Sequence, residues 1–125
     1  MKKAKDGIYG ESQLRNLDRV LIKKYFERVD EKNYRIRDAV KKHVTFKRHD
    51  LTTEPPVSRY LDAVFCRNVM IYFTEAQKMK VLNDFYNALI SGGYLIIGKS
   101  ETLPSEFKEK FECVDLREKI YLKKL

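Results

Sequence analysis

The chain's 125 residues, 43% of them apolar and 35% charged, suffice for one domain with a single core and argue against whole-chain disorder. No apolar run approaches the ~18 residues of a membrane span, and the basic start Met1-Lys2-Lys3 leads into no apolar stretch of a secretion signal, so membrane insertion is not expected and the expected address is cytoplasmic. The net charge of +8 resides wholly in the first 48 residues, which hold 15 basic and 7 acidic side chains against 11 of each in the other 77; such a surface suits an acidic partner.

Within residues 12–29, Leu14, Leu17, Val20, Leu21 and Tyr25 recur at spacings of three and four. That predicts an amphipathic helix, or two short ones broken near Asp18, with this face in the core. The period then changes, and residues 25–29 and 34–37 flank the turn-like Asp30-Glu31-Lys32-Asn33 as a small hairpin. A short helical piece over 38–43 leads into the alternating Val44-Thr45-Phe46-Lys47-Arg48, read as a strand ending at Asp50-Leu51, and Pro55-Pro56 makes 52–58 a loop.

Leu61-Asp62-Ala63-Val64-Phe65-Cys66 is a short, nearly continuous apolar run, which predicts a strand buried on both faces. Thr74-Glu75-Ala76-Gln77 fits a capping box, and Met79, Leu82, Phe85, Tyr86 and Leu89 continue at helical spacing to a stop at Ser91-Gly92-Gly93. Tyr94-Leu95-Ile96-Ile97-Gly98 reads as a second buried strand, so that strand, helix and strand form a parallel crossover. Residues 111–115 and 120–123 read as a terminal antiparallel pair. Cys66 and Cys113 lack the spacing of a zinc site and are read as reduced, buried residues; His43 and His49 fit no ligand or triad pattern and are read as surface residues, so no metal is expected.

Ligands of open α/β sheets lie beyond the carboxyl ends of the strands. The ends to interrogate are Asp50-Leu51, Arg67-Asn68 and Gly98-Lys99-Ser100-Glu101. Here the eight residues Cys66-Arg67-Asn68-Val69-Met70-Ile71-Tyr72-Phe73 closely resemble the CRNVxIYF signature of the CheR family of chemotaxis receptor methyltransferases. Asp62-Ala63-Val64-Phe65, Gly92-Gly93-Tyr94-Leu95 and Gly98-Lys99-Ser100-Glu101 match the same family in order and spacing. Residues 4–9 resemble the end of the helix after its second strand, and 44–51 its next strand with an adenine-contacting segment.

The resemblance implies an α/β fold: the C-terminal part of a Rossmann-like class I methyltransferase sheet, with a small antiparallel hairpin insertion and a terminal antiparallel strand pair. It makes residues 1–125 one partial domain, a basic helical and hairpin segment at 1–43 followed by a strand-helix-strand catalytic part at 44–125. The implied cofactor is S-adenosyl-L-methionine and the implied reaction is esterification of glutamate side chains on the cytoplasmic helices of chemoreceptors. By position, Asp50 and Leu51 would contact the adenine, Arg67 and Asn68 would line the cofactor and reaction site, and Tyr72 would pair with Arg67 in catalysis. Tyr72 and Phe73 also admit a plainer reading as packing residues under the following helix.

The chain departs from the family pattern in that none of Gly7, Gly10, Gly92, Gly93 and Gly98 forms a glycine-rich turn after a strand, and no acidic residue remains for the ribose. The family's strand order, 3-2-1-4-5-7-6, would then lack strands 1 and 2, leaving 61–66 with an open edge and predicting self-association, a separate N-terminal half or a rearranged pairing. The short loop Asp30-Glu31-Lys32-Asn33 resembles that of members that do not dock a receptor tail on the hairpin. A competing reading is a non-catalytic fragment whose basic segment binds an acidic receptor or partner. Nucleic acid is not an expected partner, since no RNP, KH or helix-turn-helix signature is present.

Overall fold

In the computed structural model, which describes residues 1–125, Lys2–Asp6 form helix α1 and Gly7 ends it in the left-handed region at φ 64°. The chain then extends as β1, Ile8–Gly10. Asp18 caps α2, Arg19–Tyr25, by accepting from the Val20 amide at 2.9 Å. The chain continues directly into β2, Phe26–Arg28, turns, and returns as β3, Asn33–Ile36, before the short α3, Asp38–Lys41. The turn closes because the Asp30 carboxylate accepts from the Lys32 and Asn33 amides at 2.9 and 3.0 Å, the local bonding that favours Asp in turns. Strands β2 and β3 pair antiparallel as expected, and β1 joins the other side of β3, giving the order β1-β3-β2.

These elements make up one compact unit, Met1–Arg48, and three expectations change within it. The helix predicted over 4–9 stops at Asp6, and Ile8–Gly10 become a strand instead. The predicted core face of 12–29 is not buried: Val20, Leu21 and Tyr25 are exposed, whereas Leu14, Leu17, Ile22 and Phe26 are half-buried. A three-stranded sheet with a two-turn helix is too small to enclose a full stripe. The strand expected over 44–50 does not form. An extended segment needs a hydrogen-bonded neighbour to become a strand, and no strand pairs with it.

The second unit, His49–Leu125, contains β4, Leu61–Cys66, α4, Glu75–Ala88, β5, Leu89–Ile97, β6, Phe111–Asp115, and β7, Ile120–Lys123. Their sheet has the order β4-β5-β7-β6, with β4 and β5 parallel and the other pairs antiparallel. It is the C-terminal half of the strand order that the family resemblance implies. The capping box is complete: Thr74 Oγ1 accepts from the Gln77 amide at 3.2 Å and Gln77 Oε1 from the Thr74 amide at 3.0 Å. Helix α4 buries Val81, Leu82, Phe85 and Ala88 in a core with Leu95, Ile97, Phe107 and Phe111.

The helix ends at Ala88, before the predicted glycine stop, and Leu89 already pairs with Leu61. Lys123 Nζ donates to the Tyr86 and Leu89 carbonyls, each at 2.7 Å, satisfying groups that a helix terminus leaves open. Gly92, at φ 83°, absorbs the irregularity before the strands regain register at Ala63 and Tyr94. Strand β4 is not buried on both faces: Val64 and Cys66 pack on the core, Cys66 being its one buried residue, whereas Ala63 and Phe65 on the other face are exposed, Phe65 to 75%. Cys113 is exposed and not a core residue; on β6 only Phe111 is buried. His49 is half-buried, its Nε2 bonded to the Pro55 carbonyl at 2.7 Å. No helix is long and apolar enough to cross a membrane.

Candidate functional site

The parallel pair β4 and β5 directs two loops to one end of the sheet, Arg67-Asn68 from the first and Gly98-Lys99-Ser100-Glu101 from the second. The eight residues from Cys66 to Phe73 divide by burial. Cys66 and Met70 are 5% and 2% exposed, and Phe73 is half-buried against the core. Between these anchors Arg67, Asn68 and Ile71 are exposed, and Tyr72, which ends the single 3-10 turn Met70–Tyr72, is 84% exposed. Packing therefore accounts for Phe73 but not for Tyr72. Neither Arg67 nor Tyr72 spends its side chain on a hydrogen bond or ion pair, so the guanidinium and the phenol are both open to a ligand.

The two loops are joined by a residue named from sequence only within the strand-end motif Gly98-Lys99-Ser100-Glu101, without a role. Glu101, 3% exposed, accepts from the Asn68 amide at 2.8 Å and from the Gly98 amide at 2.7 Å, both at Oε1. Its second oxygen, Oε2, is buried without a hydrogen-bond partner. Asn68 sits in the left-handed region at φ 64°, a conformation that Asn tolerates better than most residues. Gly98 gives the carboxylate its room, since a Cβ there would lie 2.7 Å from Glu101 Oε1 and 2.9 Å from the Asn68 nitrogen. The sequence signal for this arrangement is the strand-end motif Gly98-Lys99-Ser100-Glu101, which matches the family pattern but does not reveal what the carboxylate binds. Burial, and secondarily the Glu101 charge, push the Cys66 thiol up to about 11, so it is a neutral packing group.

Asp50 and Leu51 are placed differently. The Asp50 carboxylate turns back on its own loop, accepting from the Thr52 amide at 3.0 Å and the Thr52 hydroxyl at 2.7 Å, which holds its pKa below the ordinary carboxylate value. Leu51 packs towards the core beside an apolar cavity of about 120 Å³ walled by Leu61, Val64, Val81 and Phe85, and its carbonyl accepts from Lys80 Nζ at 2.9 Å. No hydrogen bond or ion pair joins this pair to Arg67 and Asn68. No cluster of side chains suited to a metal ion occurs.

Residues 1–120 match the family described as CheR methyltransferase, SAM binding domain. The chain is 38% identical over 104 residues to a chemotaxis protein methyltransferase of Borreliella burgdorferi, covering 82% of this chain and 37% of that protein. It is 40% identical over 111 residues to one of Vibrio anguillarum, covering 88% and 40%. With one of Escherichia coli it shares 34% over 115 residues, covering 89% and 40%. The chain thus spans about two fifths of the length of the curated relatives it matches. S-adenosylmethionine, the ligand of the matched domain, presents a carboxylate, hydroxyls and an adenine. The unengaged Arg67 guanidinium and the exposed Asn68 side chain are donors that fit its polar groups.

Proposed function

The chain belongs to the CheR methyltransferase family, and on that premise we propose that it forms the acceptor-side part of an enzyme that esterifies glutamate side chains on the cytoplasmic helices of chemoreceptors. What supports this reading is the pattern of anchored and projecting residues from Cys66 to Phe73, which presents Arg67 and Tyr72 to solvent at the carboxyl end of β4. A glutamate side chain, with a solution pKa of about 4.3, is already anionic at neutral pH and needs no general base. The cofactor supplies an electrophilic methyl group when bound. The task left to this chain is orientation, in which the Arg67 guanidinium holds the acceptor carboxylate through paired hydrogen bonds and the Tyr72 hydroxyl adds a further one. Asn68 would contribute to holding the cofactor, with Asp50 and Leu51 beside its adenine. The open edge of β4 would take a strand from the remainder of a longer methyltransferase.

A graft tests this: the chain replaces the matching segment of the Vibrio anguillarum relative, and transfer of a labelled methyl group to a receptor's glutamates is measured. Arg67→Ala should lower turnover about 100-fold, as misplacement of the acceptor does, and Tyr72→Phe by at least about tenfold, as loss of one hydrogen bond to a charged acceptor does. A graft without activity, or one unaffected by both substitutions, refutes the proposal.

A further inference from the structure

The motif Gly98-Lys99-Ser100-Glu101 has no part in the chemistry described above, yet it contains the one buried charged residue of the chain. Burying a carboxylate is costly, and leaving one of its oxygens without a partner raises the cost. The return is visible in what Oε1 binds: the amide of Asn68, directly after Arg67, and the amide of Gly98, directly after β5. Asn68 reverses the chain through a left-handed conformation, so the direction in which Arg67 leaves β4 depends on where the Asn68 amide is held. Arg67 itself makes no hydrogen bond or ion pair that would orient it. The bareness of Gly98 completes the arrangement, because a side chain there would occupy the space of the carboxylate.

We propose that Glu101 is the positioning residue of this site: its carboxylate fastens the loop after β4 to the loop after β5 and thereby fixes the origin of the Arg67 side chain. The role in turnover rests on the methyl-transfer reading, whereas the fastening is a property of the chain alone, and two measurements separate them. In the full chain, amide hydrogen exchange at Asn68 and Gly98 should accelerate at least tenfold in Glu101→Ala and Glu101→Asp, while Leu95 and Ile97 in the core keep their protection. Glu101→Gln, which retains an acceptor oxygen, should exchange like the parent.

In the Vibrio anguillarum graft, Glu101→Asp should lower kcat about 100-fold, the scale expected when a reacting group is displaced by about 1 Å. Glu101→Gln should restore kcat to within fivefold. Should Glu101→Ala fail to fold, the Asp and Gln variants carry the comparison. Unaltered exchange at both amides overturns the fastening. Accelerated exchange with unaltered kcat overturns the positioning role and leaves the methyl-transfer reading standing. A graft inactive even with the parent chain overturns both that reading and the positioning role.

Discussion

Gly98→Ala is the smallest change that strikes the join between the two loops. The glycine is not there for backbone freedom, since its φ lies outside the left-handed region, so the effect comes from space alone. The added methyl would stand 2.7 Å from Glu101 Oε1 and 2.9 Å from the Asn68 nitrogen, with the Asn68 side-chain oxygen closer still. The Asn68 side chain can rotate away, but the amide and the carboxylate cannot both give way without lengthening the 2.8 Å bond between them. Overpacking costs about 1–3 kcal/mol and a hydrogen bond to a charged acceptor contributes about 1.5–3 kcal/mol. Against these, alanine stiffens the unfolded chain and returns about 0.4–1 kcal/mol. With part of the clash relieved when the hydrogen bond breaks, the net expectation is a loss of about 2–3 kcal/mol, a large share of the stability of a domain this size. Urea unfolding of the parent and the variant, with equal slopes, reads this directly. Gly10→Ala is the control, because the nearest atom to its Cβ would be 3.7 Å away, and it should leave the midpoint within about 0.5 kcal/mol of the parent. A Gly98→Ala chain as stable as the parent, or more so, would refute the close approach.

Three further predictions concern the second unit. At pH 8 a maleimide should label one thiol per chain rapidly, the exposed Cys113, and Cys113→Ser should abolish that phase, whereas Cys66 reacts only on unfolding. The folded Cys66 value of about 11 lies above its ordinary 9.0, so its contribution to stability is intact below about 9 and is lost as the pH rises through about 11; in a Cys113→Ser background, the stability gap to Cys66→Ala should narrow across that window. Leu82→Ala, at a position with 0% exposure, should cost about 2–5 kcal/mol through lost burial and the cavity left behind, and a urea midpoint displaced by less than about 1 kcal/mol would show that α4 is not seated as described.

Helix α4 was legible because two independent local signals agree there, a capping box at Thr74 and a helical stripe from Met79 to Phe85. The parallel strands were legible from their apolar runs, and Leu95 and Ile97 are indeed fully buried. What escaped the pattern depends on partners far away in the chain. Ile8–Gly10 are a strand only because β3 lies 25 residues downstream, while Val44-Thr45-Phe46-Lys47-Arg48 alternate as a strand should and find no neighbour. Burial was misread because the apolar run of β4 looks like an interior strand, whereas only its Val64 and Cys66 face packs on the core and Ala63 and Phe65 lie on a face that the rest of the chain leaves uncovered. At the site, the signature residues could be placed at a strand end from sequence, whereas Glu101 could not be distinguished from a solvated loop carboxylate. Its importance comes from two backbone amides, which no side-chain pattern records.

The open edge and the candidate site share one strand. Strand β4 pairs only with β5, and Ala63, Phe65 and Tyr94 are exposed on the pair, with Ala63 and Tyr94 directly opposite each other. Parallel strands are normally covered on both faces, and an apolar edge invites another strand. A strand laid along Leu61–Cys66 would run to the level of Arg67, where the guanidinium and the Tyr72 phenol are unengaged. Completing the sheet and walling the site would then be a single event. The division of labour within the chain fits this. Cys66, Met70, Phe73 and Glu101 fix the loop from the side that the chain covers itself, and Arg67 and Tyr72 are left exposed. The arrangement places Arg67 and Tyr72 on an anchored loop before the edge is covered, so that an added strand would meet a loop whose shape is already set.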